Sequence, residues 1–112
     1  MAFKLTISDT VTVPVKGAIP NAAGVAQPFA FSLVCRRITQ EQLMSLGQDK
    51  ERSTADFLAE VTQDWSGVLG DDDRPVPYTP AALAQLLDIV GMAGVAFAAY
   101  IEACGAQGRG KN

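Results

Sequence analysis

Residues 29–43, Phe29-Ala30-Phe31-Ser32-Leu33-Val34-Cys35-Arg36-Arg37-Ile38-Thr39-Gln40-Glu41-Gln42-Leu43, decide the fold of this 112-residue chain. Up to Cys35 the larger apolar side chains fall on every second residue, the period of a half-buried strand. From Thr39 the pattern changes. Thr39 and Gln42 fit a capping box, in which two side chains satisfy the free N–H groups of a first helical turn, ahead of Leu43, Met44 and Leu46. The switch from period two to period 3.6 near residue 38 predicts an α+β domain. In it an N-terminal antiparallel β-hairpin region, about residues 3–37, packs against four or so short C-terminal helices, about residues 39–104.

Toward the N-terminus the alternation recurs. Phe3, Leu5 and Ile7 are apolar around Lys4, Thr6 and Ser8, and Val11, Val13 and Val15 repeat the pattern. Pro14 cannot donate to a ladder, so its strand belongs at an edge or a bulge. Residues 17–28, punctuated by Gly, Pro and Asn, read as a long mobile hairpin loop.

Toward the C-terminus, Gly47 is placed to end the first helix. Ser53 is the next N-cap, with Asp56 in the first turn, where the helix dipole favours an anion. Leu58, Val61 and Trp65, with Phe57, then share a helical face, so this helix is expected to run to Trp65. Thr79-Pro80 is a strong start signal, a side-chain acceptor at N-cap followed by proline. Leu83, Leu86, Leu87 and Val90 form one stripe, and Phe97, Tyr100, Ile101 and Cys104 a second, with a break at Gly91 and Gly94. Ala98, Ala99 and Ala103 lie opposite, where small side chains permit close approach. Residues 1–104 read as a single domain and 105–112 as a flexible, glycine-rich tail.

The composition is globular, 48% hydrophobic and 19% charged. The net charge of −3 is uneven: +3 over residues 1–37 and −6 over the rest. That argues against wholesale phosphate binding, so no nucleic-acid partner is expected. It permits association by sign. The N-terminus lacks a signal peptide's apolar core. The uncharged stretch Ile89–Ile101 is shorter than the ~20 residues of a membrane span, so a membrane is not expected as partner.

Catalytic signals are weak. The chain has no histidine, which removes histidine-based triads, histidine metal sites and the usual neutral-pH base. Asp71-Asp72-Asp73 lacks the spaced acids and terminal glutamate of a calcium loop and reads as a solvated turn. Cys35 beside Arg36-Arg37 reads as a packed core thiol, since strand neighbours face opposite ways. Cys104 likewise falls on an apolar face, and both fit reduced thiols; a disulfide between them is the alternative, since sequence does not give their distance. Gly91-Met92-Ala93-Gly94 lacks the Lys-Ser/Thr of a phosphate loop. No enzyme, cofactor or metal is expected. The candidate partner or self-association surface is Trp65, Tyr78, Leu83, Leu86, Leu87, Val90, Phe97, Tyr100 and Ile101, although the helical stripe of Trp65 favours a core anchor over an interface one. The Asp64–Pro80 stretch can present it as a loop.

Taken in order, several motifs resemble a known family, the tail assembly chaperones of long-tailed, siphovirus-type bacteriophages. They are Val13-Pro14-Val15-Lys16-Gly17, Phe29-Ala30-Phe31-Ser32-Leu33 and the basic pair that ends that strand. Asp64-Trp65-Ser66-Gly67-Val68 follows, then Pro75-Val76-Pro77-Tyr78-Thr79-Pro80 leading into Leu83-Ala84-Gln85-Leu86-Leu87. The series closes with Ala99-Tyr100-Ile101-Glu102-Ala103 and Lys111-Asn112. Many relatives carry Phe-Ser where this chain has Tyr78-Thr79. The resemblance implies a non-enzymatic protein of the infected host cell's cytoplasm, absent from the mature virion. Such a protein binds the tape measure protein, keeps it soluble and helps recruit tail tube subunits, with self-association. It supplies no catalytic residues. The alternative is a structural tail or connector component of the virion.

Overall fold

The protein is described here by a computed structural model covering residues 2–49 and 51–106. Three strands form an antiparallel sheet in the order β1-β2-β3: β1 Thr10–Pro20, β2 Ala26–Arg36 and β3 Thr62–Ser66. Among the described residues four helices complete the α+β fold: α1 Gln40–Gln48, α2 Thr54–Val61, α3 Pro80–Leu87 and α4 Met92–Cys104.

The alternation in β1 and β2 becomes one buried sheet face. Val13 opposes Leu33 and Val15 opposes Phe31 across the ladder, and all four are buried with Cys35. Thr12, Pro14 and Lys16 point the other way and are exposed. Pro14 sits on β1, an edge strand, as its missing N–H requires.

The hairpin is longer than its sequence suggests. Pairing continues through Gly17↔Phe29 to Pro20↔Ala26, so the expected loop over 17–28 shrinks to 21–25. Asn21 closes it: its Oδ1 accepts from the N–H groups of Ala23 and Val25, and Gly24 takes the left-handed conformation at φ 81°. Gly17 extends the strand because the Phe29 ring lies over it. A Cβ there would come within 2.7 Å of Phe29 Cζ, so the aromatic supplies the packing the glycine lacks.

The three caps form as read. Thr39/Gln42 and Ser53/Asp56 are full capping boxes, and Thr79 Oγ1 accepts from the Ala82 N–H at 3.0 Å before Pro80. Other sequence expectations are corrected: α1 runs past Gly47 to Gln48. Phe3, Leu5 and Ile7 join no strand. The helix expected to reach Trp65 ends at Val61, and Thr62–Ser66 pairs with β2. A bulge opposite Val34/Cys35 lets both Thr62 and Trp65 oppose the buried residues Cys35 and Leu33. The bulged spacing imitates a helical stripe.

The core lies between the buried sheet face and α2, α3 and α4. Phe57 packs edge-on against Tyr100 at 5.3 Å and Phe97 at 5.7 Å, joining α2 to α4. α4 also packs on β1. α1 contributes no buried residue. α3 and α4 meet at a 108° bend through Gly91, whose φ of 83° suits a residue without Cβ. Gly94, expected to share that break, lies within α4. Among the described residues no single helix is long and apolar enough to cross a membrane. The expected tail lies, from residue 107 onward, outside the described residues, as does the Lys111-Asn112 motif.

Candidate partner-binding surfaces

The Asp64–Pro80 stretch is an internally stapled corner. Trp65 Nε1 donates to the Val76 carbonyl at 2.8 Å, and Tyr78 OH donates to the Thr62 carbonyl at 3.1 Å. The two rings meet edge-to-face at 5.4 Å. Between them the chain folds into a small hairpin: Val76 N–H donates to the Val68 carbonyl and Gly70 N–H to the Arg74 carbonyl. Asp73 turns it at φ 60°, and Asp72 Oδ1 accepts from the Arg74 N–H. The acid run serves the turn. Gly67, at φ 84°, brings its backbone against that of Phe31.

This accounts for the residues read as a surface. Trp65, at 8% exposure, is in the core with Leu83, Leu87 and Tyr100. Tyr78, Leu86, Phe97 and Ile101 are half-buried against it. Val90 alone of the nine is fully exposed, at 100%. The two helical stripes are therefore spent on this chain's own interior. Apolar side chains that remain outside include Ile89 and Val90 at the elbow between α3 and α4, Val95 in the first turns of α4, and Phe3, Leu5 and Ile7 ahead of β1; Ile19, Val25, Met44 and Leu69 are exposed singly in the hairpin, α1 and the corner.

Burial shifts three titratable side chains at the core. Cys35 is buried with its Sγ 3.6 Å from Thr62 Oγ1. Burial pushes its thiol up, partly offset by that hydrogen bond, and nearby Cys104 adds to the rise. Both cysteines are free. Burial also raises the Tyr78 hydroxyl and, more strongly, that of Tyr100, which donates to the Arg36 carbonyl at 2.6 Å. A raised Cys35 is the opposite of an activated nucleophile. Among the described residues no three His, Cys, Asp or Glu side chains converge to hold a metal.

The basic pair, which the sequence leaves without a role, divides its work. Arg36 and Arg52 flank Glu60 on the surface. Arg37 is a clamp: its N–H donates to the Asp9 carbonyl, its Nε to the Ser8 carbonyl and an Nη to the Cys104 carbonyl. It ties the root of the N-terminal segment to the end of α4. No sequence pattern marks this, because the partners are backbone atoms far apart in the chain.

Comparisons of the chain with family models, with curated proteins and with solved structures give no match.

Proposed function

We propose that this protein is a tail assembly chaperone of a long-tailed bacteriophage. It acts without catalysis in the host cytoplasm, binds the tape measure protein and gives way as tail tube subunits polymerise around it. The supporting observation is the apolar elbow: Ile89 and Val90 lie outside the core. Such side chains cover the apolar stripe of a long amphipathic helix and keep it soluble. The ordered motifs of the resemblance point the same way. The open sheet edge and projecting hairpin favour the second reading, a structural component of the tail.

Co-expression tests the proposal. The tape measure protein is expected to become soluble with this chain and to be recovered with it in a pull-down. Equal insolubility with and without the chain, and no complex, overturns it. Mass spectrometry of purified particles separates the two readings, since a chaperone is absent from mature virions.

A further inference from the structure

We propose that residues 2–8 form an exchange arm that docks into a second copy of this chain, in the groove between the free edge of β1 and α4. The arm has the pattern of a strand without a sheet. Phe3 is 77% exposed, Leu5 90% and Ile7 57%, and they alternate with Lys4, Thr6 and Ser8. Burying one such face in a partner recovers apolar stabilisation that this fold leaves unused.

The receptor is on the same molecule. Among the described residues β1 pairs only with β2, so its other edge is open. Against that edge runs a groove of about 660 Å³, walled by Pro14 and Lys16 on one side and by Val95, Ala98, Ala99, Glu102 and Ala103 on the other. Lengths match. Phe3 to Ile7 spans about 13 Å of extended chain, and Val95 to Ala103 about 12 Å of helix. Pro14 removes a donor from the edge, so docking rests on apolar side chains in the groove more than on a full ladder.

A second copy is favoured over the chain's own arm. To reach its own groove the arm would have to reverse between Ile7 and Thr10. Neither Ser8 nor Asp9 has positive φ, and neither is glycine, which a tight two-residue reversal prefers. Arg37 instead holds the Ser8 and Asp9 carbonyls, which fixes the root of the arm against the start of β1. Reciprocal exchange about a two-fold axis, counting both sides of each contact, buries on the order of 1,500 Å², within the range of stable dimers.

Sedimentation of the full chain is expected to show a dimer. Leu5→Asp is expected to raise its dissociation constant about 100-fold or more while leaving the thermal melt of the monomer unchanged, because Leu5 lies outside the core. A short bismaleimide then locates the contact, with Cys104→Ser as background. Leu5→Cys and Ala98→Cys, each on a separate chain, are expected to cross-link only when mixed. A strict monomer at high concentration, a dimer indifferent to Leu5→Asp, or cross-linking confined to one chain carrying both cysteines overturns the proposal. So does a dimer whose mixed chains fail to cross-link.

Discussion

Replacing Trp65 tests the corner on which this fold turns. Trp65 is in the core at 8% exposure. Its indole N–H is bound to the Val76 carbonyl, and its ring meets that of Tyr78. Truncating a buried aromatic to alanine costs about 3–5 kcal/mol in transfer and cavity terms. An orphaned carbonyl adds ~1 kcal/mol or more where water cannot reach it. Trp65→Ala is therefore expected to remove about 4–6 kcal/mol. A domain of this size has roughly 5–15 kcal/mol in all, so the variant should be close to unfolding at 37 °C. Urea melts followed by far-ultraviolet circular dichroism give the number, since the only tryptophan is gone. Trp65→Phe keeps most of the volume but loses the indole donor, and is expected to cost about 1–2 kcal/mol. Tyr78→Phe, which loses only the bond to Thr62, is expected to cost about 1 kcal/mol. A Trp65→Ala melt within ~1 kcal/mol of wild type would refute the reasoning, since it would mean that Trp65 faces solvent.

Further outcomes follow from the same contacts. Gly17→Ala places a Cβ against the tip of the half-buried Phe29 ring, which can swing aside, so stability is expected to change by less than about 1 kcal/mol; adding Phe29→Ala should remove what clash remains, which a double-mutant cycle reads. Asp56 is held below the ordinary carboxylate range by the backbone and hydroxyl bonds of its capping box with Ser53. Its contribution is present above the unfolded value and lost as pH falls through the folded one, so Asp56→Asn should flatten the acid limb of a pH–stability profile. Cys35, Tyr78 and Tyr100 all have raised values, so their contribution is present below the unfolded values and lost above them. Stability is expected to fall from about pH 9 upward, and Tyr100→Phe should shallow that fall in alkaline melts.

What the sequence made legible was local. Thr39, Ser53 and Thr79 announce their helices because donor and acceptor lie within three residues of each other. Val11–Val15 and Phe29–Cys35 announce their strands because alternation is a property of the strand itself. Trp65 misled because a bulge shifts a strand's faces by one residue, and Leu58, Val61 and Trp65 then keep the spacing of a helix. Gly17 misled for another reason: its strand conformation depends on a ring twelve residues away. The stripes of α3 and α4 were correctly apolar, yet periodicity cannot say whether an apolar face meets the chain's own sheet or another molecule. Leu83, Leu87 and Tyr100 are taken by the core. The arm, with equally good alternation, is left outside.

That division bears on how a chaperone of this kind would work. If the proposed function holds and the arm carries self-contact, Ile89 and Val90 at the elbow remain free for the tape measure protein. Binding and association can then be separated by mutation. Copies seated side by side on a long helix raise each other's effective concentration, so a modest self-contact can increase overall affinity by 10²–10⁴-fold with no new contact to the partner, as an order-of-magnitude range. A partner fragment long enough for one copy gains nothing from this. Leu5→Asp is therefore expected to bind a one-site fragment as well as the wild type does, and to lose affinity progressively as the fragment lengthens. Val90→Asp should weaken both equally. Titration calorimetry over a series of fragment lengths reads the difference. Equal losses for Leu5→Asp at every length would place the arm on the partner surface and end the separation of roles.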